Sequence, residues 1–300
     1  MRENVLRTAI LLTVLSSLIL AAGALVGGVD GLMIAVALAI GICGVAYFGS
    51  DRIALAVMRS RPVSEWEHPQ LYRVVRELST TARTPVPRLY VSPAIQPNAF
   101  ATGRSRRRAA ICCTEGILQI LDPDELRAVL AHELSHIQSR DILVSTVAAG
   151  VATVITLLSV FAWLLPFGRG AGRLFKLLFM MVLGPLAAFV IHLSVTRTRE
   201  YQADAAGSLL TGDPLALARA LRKIELGTVA HPLRASGHLA AAGHLMIVAP
   251  FRTTGLGRLF TTHPPVAERV RRLESLAGLP RGDIARPGWR RAGVRRPRTS

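Results

Sequence analysis

The densest chemistry in the chain lies in five consecutive residues, His132-Glu133-Leu134-Ser135-His136. Residues four apart are just over one helical turn from each other, so on a helix both imidazoles project from the same face. Two imidazoles so placed can share one zinc ion. Glu133 lies about 100° round the helix from His132. That puts it beside such an ion rather than on it, where a carboxylate can take a proton from an attacking water. The plainer reading is an amphipathic helix with its polar residues on the wet face. Chance alone produces this pattern roughly once in a hundred chains of such composition, so the motif needs further support.

A catalytic zinc usually has three protein ligands and one open position. Glu200, in Arg197-Thr198-Arg199-Glu200-Tyr201-Gln202-Ala203-Asp204, is the best candidate for the third ligand. Asp204 falls one helical turn later on the same face, where a carboxylate can orient a metal-bound imidazole. The competing reading is a solvated helix start, where acids are favoured by the macrodipole. Placement along the chain favours the ligand. The 63 residues 137–199 between His136 and Glu200 are mostly one apolar hairpin, whose two ends must lie side by side.

The elements that position these residues follow from hydropathy. Four stretches, at about residues 8–29, 31–50, 142–166 and 174–196, are long enough to span a bilayer. Their only charged residue is Lys176, near an end, where it can reach the interface. The fourth also holds His192, which reads as a histidine satisfied by a neighbouring helix. Arg2 and Arg7 before the first stretch could mark a signal peptide, but the apolar run is too long and a second follows at once, so it reads as an uncleaved anchor.

Arginines set the orientation. Arg2, Arg7, Arg52, Arg59 and Arg61 flank the first hairpin outside its turn, and residues 27–31 between the two stretches carry no basic residue. Arg140, Arg197 and Arg199 flank the second pair, against Arg169, Arg173 and Lys176 in its loop. The expectation is four spans in the cell membrane, with the soluble segments and both termini in the cytoplasm. The division is 1–50 hairpin, 51–141 first soluble block with the metal helix, 142–196 second hairpin, 197–280 second soluble block, and 281–300 a basic disordered tail.

Within the first block, Leu71, Val74, Val75 and Leu78 predict a helix over 69–82, while 88–91 and 109–113 read as short strands. Leu126, Val129 and Leu130 give the metal helix its apolar face, and Asp122 or Asp124 can cap it. His68, His231, His238 and His244 have no partner at metal spacing, and residues 228–251 read as a flexible loop near the cleft.

Of 36 basic residues only Lys176 and Lys223 are lysines, and the formal net charge is +17. Without interleaved aromatics this does not point to nucleic acid, and no nucleic-acid partner is expected. Arginines beside apolar stretches fit anionic lipid head groups. The three cysteines, Cys43, Cys112 and Cys113, form no disulfide framework, which fits a soluble part in a reducing compartment.

Several further segments join the metal motif: Asn98-Ala99-Phe100-Ala101-Thr102-Gly103, Thr114-Glu115-Gly116, Arg199-Glu200 with Asp204, and Thr262-His263-Pro264-Pro265. In this order, with a hairpin ahead of them, they resemble the HtpX-type membrane-bound zinc proteases, relatives of the CAAX prenyl proteases. The resemblance runs from the first hairpin to about Leu276. It implies a mainly α integral membrane protein, with four transmembrane helices and a zincin-like α+β protease domain containing a small sheet. It also implies one zinc per chain and protein substrates, in particular misfolded or membrane proteins. On the same ground Asn98, Ala99, Phe100 and Ala101 belong to an edge strand that pairs with the substrate backbone. Asn98 would donate to a substrate carbonyl, and His263 would stabilise the developing oxyanion. The competing roles are a turn residue after Pro97 and a structural histidine before two prolines.

Two other classes compete with a metalloendopeptidase. A non-enzymatic membrane scaffold would have no use for Glu133. A transporter would call for intramembrane acids and broken helices that these stretches lack.

Overall fold

The structure is a computed structural model and describes residues 2–139, 141–148, 151, 197–232, 245–248 and 264–278. Its first helix, α1 (Arg2–Phe48), is broken at Gly28, whose φ of 57° and ψ of −134° suit a residue without Cβ. The two arms fold back on each other. Gly23 lies against Gly31 and Ala35, and Ser16 Oγ is 3.3 Å from Cys43 Sγ. The turn between the arms falls inside 27–31. The second arm, Gly28–Phe48, has 21 residues and a mean hydropathy of 2.3. Among the described residues it is the one helix long and apolar enough to cross a membrane, and the first arm offers the shorter apolar helix Leu12–Ala21.

Of the four expected spans, the described residues thus include one helix of full length. The third stretch is described only at its start, where Val144, Val147, Ala148 and Val151 pack against Leu15 and Ala46 of the hairpin. The fourth stretch and the tail 281–300 lie outside the described residues.

Beyond α1 come α2 (Ser50–Val57), β1 (Arg61–Pro62), α3 (Pro69–Thr81), β2 (Arg88–Ser92), β3 (Ala99–Thr102), β4 (Ala110–Thr114), α4 (Glu115–Ile120) and α5 (Pro123–Ser139). After the second apolar region follow α6 (Arg197–Thr211), α7 (Pro214–Ala230) and α8 (Val266–Ala277). The described residues are mainly helical and include a small mixed sheet, ordered β1-β2-β4-β3. β2 and β4 are parallel, and β1 and β3 pair antiparallel with them.

Helix α3 forms where the periodicity requires it, with Pro69 at its first turn and Leu71, Val75 and Leu78 buried. The strand pattern Ala110-Ile111-Cys112-Cys113 is apolar without alternation because both faces of the sheet are covered. Ala99, Ala101, Ile111 and Cys113 face the main core with α3 and α5. Phe100, Ala110 and Cys112 face Ala54, Leu55 and Met58 at the end of the hairpin.

Helix α5 is the centre of the main core and packs against α3, α6, α7 and β3. Asp122, one of the two expected caps, starts it with a reciprocal pair of bonds. Glu125 N donates to Asp122 Oδ1 at 2.9 Å, and Asp122 N donates to Glu125 Oε2 at 3.1 Å. Glu125 is itself buried and is paired with Lys223 Nζ of α7 at 2.6 Å. Ala128, Val129, Leu130, Ala131 and Leu134 are all at most 1% exposed. Burial of one such leucine contributes about 1.5–3 kcal/mol, so the metal helix is fixed by its packing.

Candidate metal centre and peptide-binding edge

Because α5 is regular through residues 132–136, the two imidazoles emerge side by side. His132 Nε2 and His136 Nε2 are 3.2 Å apart, with the rings at 85°. Helix α6 crosses α5 closely enough to bring a carboxylate to them. Gly207 makes that crossing possible: a Cβ there would lie 2.9 Å from the backbone nitrogen of His132. Glu200, 4% exposed, has Oε1 3.7 Å from His136 Nε2 and Oε2 3.8 Å from His132 Nε2. The three donor groups lie within 4.8 Å of one another.

This donor set fits a zinc ion. Two nitrogens held at about 2.0–2.1 Å by one tetrahedral centre lie ~3.3 Å apart, close to the separation seen here. Two imidazoles and a carboxylate are also the ligand types zinc accepts in catalytic sites.

The groups behind the donors set their charge and tautomer. Asp204 Oδ1 is 3.0 Å from His132 Nδ1, so it holds that ring with Nε2 turned towards His136. Asp141 lies 3.9 Å from His136 Nδ1 and is paired with Arg199 at 3.4 Å. Burial alone would lower the His136 pKa, but Asp141, Glu200 and Glu133 together raise it to about 9. A metal ion would take the place of that proton as the balancing charge. Glu133, 2% exposed, has its carboxyl pushed up by burial, against the pull of His132 and His136 and of a hydrogen bond from the Ala101 backbone.

Arg269 of α8 is the residue that the sequence reading missed. It is 0% exposed and grips Asp204 with two bonds, Nε to Oδ2 at 2.9 Å and NH2 to Oδ1 at 2.6 Å. Its NH1 donates to the Ile247 carbonyl at 2.7 Å and stands 3.8 Å from Glu200 Oε2. The signal was present in the helical pattern. Val266, Val270 and Leu273 form the buried face of α8, and Arg269 falls inside that stripe. An arginine placed there needs a buried acid.

Asn98 lies just before β3, which is the outer strand of the sheet on that side. Thr114 ties it down: Asn98 N donates to Thr114 Oγ1 at 2.9 Å, and Thr114 Oγ1 also caps α4 through Ile117 N at 3.2 Å. Gly116 passes directly under the Ile95 carbonyl, which leaves no space for a side chain. The Asn98 side chain bonds the backbone of Val248, with Nδ2 donating to the carbonyl at 2.8 Å. The region 228–251, expected as a flexible loop, is therefore not loop throughout. α7 runs to Ala230, and Met246, Ile247 and Val248 are buried against the sheet. Met246 fills space beside Phe100, and Ile247 joins the main core.

The structure thus brings His132, Glu133, His136, Glu200, Asp204 and the Asn98–Ala101 edge to one place, while His263 lies outside the described residues.

Comparison with known proteins points the same way. Residues 65–277 match peptidase family M48. The chain is 50% identical over 289 residues to the Protease HtpX homolog of Kineococcus radiotolerans, covering 92% of this chain and 98% of that protein. It is 51% identical over 285 residues to that of Pseudarthrobacter chlorophenolicus, with 93% and 98% covered. It is 45% identical over 279 residues to that of Syntrophobacter fumaroxidans, with 90% and 98% covered.

Proposed function

The chain belongs to peptidase family M48 and is a peptidase acting on protein substrates, and from this premise we propose that it is a membrane-anchored zinc metalloendopeptidase. The observation that carries the reading is the meeting of His132 Nε2, His136 Nε2 and the Glu200 carboxylate within 4.8 Å, with Glu133 beside them. In this reading His132, His136 and Glu200 hold the zinc. When bound, zinc supplies Lewis acidity, acidifying a water and drawing charge from a carbonyl oxygen.

The chain's own residues do the rest. Glu133 takes the proton of the attacking water and delivers it to the departing amine. Its raised affinity for a proton, caused by burial, suits both halves of that task. Asp204, backed by Arg269, keeps His132 in the orientation that presents Nε2. Backbone groups of Ala99 and Ala101 and the Asn98 carboxamide bind the main chain of an extended substrate. His263 stabilises the developing oxyanion.

The apolar hairpin and the start of the third stretch support a multi-pass placement in the cell membrane. The enzymatic part and both termini would then be cytoplasmic. Substrates in this reading are misfolded or membrane proteins, and the activity is one of quality control. The test is casein hydrolysis by purified, detergent-solubilised chain. We expect about one zinc per chain, and activity that chelator abolishes and zinc restores. Hydrolysis indifferent to chelation would overturn the reading.

A further inference from the structure

The outer edge of β3 is already occupied, and by this chain itself. Thr114 N donates to the Asn98 carbonyl at 3.0 Å, which fixes which β3 groups face β4. In an antiparallel pair the hydrogen-bonded and non-bonded positions alternate. With Ala99 opposite Cys113 and Ala101 opposite Ile111, the backbone groups of Ala99 and Ala101 therefore point away from β4, towards the open edge. The Ala101 N–H meets Glu133 there. The Ala99 carbonyl accepts from Ile247 N at 3.0 Å.

Among the described residues, the other polar contacts of this segment also fall on main-chain groups of Ile247 and Val248. Arg269 NH1 donates to the Ile247 carbonyl at 2.7 Å. Asn98 Nδ2 donates to the Val248 carbonyl at 2.8 Å, and Asn98 Oδ1 accepts from Val248 N at 3.4 Å. Two residues thus have their main-chain groups bound by one carbonyl, one carboxamide and one guanidinium, and the guanidinium reaches within 3.5 Å of His132 Nδ1. Groups of these kinds can hold the main chain of a bound peptide, leaving its side chains to the pockets beside it.

Direction adds the rest. Ile247 N bonds Ala99 and Val248 bonds the Asn98 side chain, so over these two residues, which form a bend rather than a strand, the chain passes β3 in the opposite sense. Going backwards from Ile247, a strand kept on this edge would pass Ala101 and Glu133. The catalytic carboxylate therefore lies on the amino side of Ile247. Met246 instead turns to the Phe100 face of the sheet, so the segment follows the edge only at Ile247 and Val248.

We propose that Ile247 and Val248 fill the sites for the two substrate residues on the amine side of the scissile bond, as an internal ligand that substrate must displace. The proposal rests on the peptidase reading above and specifies its substrate. The space holding Ile247, 2% exposed and part of the main core, takes an aliphatic residue. Cleavage therefore falls before isoleucine, valine or leucine. Discrimination in an apolar pocket of this kind is roughly ten-fold or more against alanine or a charged residue.

Three measurements on the full-length, zinc-loaded chain in detergent test this. The first maps cut sites in unfolded casein by mass spectrometry, where aliphatic residues are expected to follow the cut. The second follows hydrogen exchange in the Leu245–Val248 segment of Glu133→Gln, with and without a casein peptide that the wild type cleaves. Bound peptide is expected to speed exchange there, because it releases Ile247 N from Ala99. Zinc-dependent cleavage without aliphatic preference, or exchange unchanged or slowed by bound peptide, overturns the inference and leaves the peptidase standing. Absence of any zinc-dependent cleavage overturns both. Ile247→Ala, which loosens the segment, is expected to raise turnover of short peptides at least about five-fold. Unchanged or lower turnover by a folded variant counts against displacement.

Discussion

Arg269 and Asp204 form a two-bonded ion pair, 2.9 and 2.6 Å long, sealed behind the ring of His132. The pair joins α8 to α6, and through His132 it reaches α5. Burial would raise the Asp204 carboxyl, but the Arg269 charge and the His132 contact hold it below the usual carboxylate range.

Removing one partner leaves the other charged in the core. Arg269→Met is expected to cost about 3–5 kcal/mol of stability. The double variant Arg269→Met with Asp204→Asn is expected to regain part of that loss, which a urea-unfolding cycle on the detergent-solubilised chain measures. Additive losses would show that the two residues act independently.

Two substitutions separate base from ligand. Glu133→Gln keeps its zinc and its fold, and loses about 10²–10⁴ in turnover, because an amide cannot accept the proton. Glu200→Gln loses zinc itself, since a neutral amide is a poor ligand. Elemental analysis beside a casein assay distinguishes them. Normal cleavage by Glu133→Gln would remove this site from the reaction.

The crossing of α5 and α6 depends on one missing Cβ. In Gly207→Val the new side chain meets the His132 backbone, 2.9 Å from N and 3.1 Å from Cα, neither of which can swing aside. Overpacking of this kind costs about 1–3 kcal/mol. The displaced α6 carries Glu200 and Asp204 with it, so zinc affinity falls together with thermal stability. A variant with wild-type zinc affinity would contradict the tight crossing.

Burial pushes the Cys112 thiol up to about 12, partly offset by its contact with Ser60. The Cys113 thiol is raised as well, mainly by burial. At pH 8 the Cys112 thiolate is then roughly a thousand-fold scarcer than at an ordinary exposed cysteine. Both residues should resist iodoacetamide in the native protein and react after denaturation, as peptide mass spectrometry can establish. Rapid native labelling at either would refute their enclosure.

Membrane placement has its own test. Reporter fusions at Ser60 and Ser300 are expected to read cytoplasmic, and one at Gly170 extracytoplasmic. A Ser300 reporter outside the cytoplasm would refute either the even number of spans or their orientation.

Periodicity was enough to find α3 and α5, because each has one apolar stripe. The runs at 88–91 and 109–113 were legible as strands because the sheet is covered on both faces. His132, His136 and Glu200 could be joined from the sequence, since an apolar hairpin expected between them would bring its own ends together. Arg269 was harder. Its meaning depends on Asp204, 65 residues earlier, and the helical stripe that betrays it says only that some acid is needed. The contact of Ile247 with Ala99 had no side-chain signature at all. Backbone pairing of this kind is available to any residue but proline, so nothing in the residue types announces it.

The last turn of the β3 edge is anchored outside its own sheet. Thr102 Oγ1 is 3.1 Å from Thr146 Oγ1, and Gly103 N donates to that same hydroxyl at 3.1 Å. Thr146 belongs to the first turns of the third apolar stretch, which in turn pack on the α1 hairpin. A fragment made by excising 142–196 would therefore carry a frayed β3 edge, with two buried polar groups stripped of their acceptor or donor. Attempts to miniaturise this enzyme should retain the segment through at least Val151, even where no lipid is wanted.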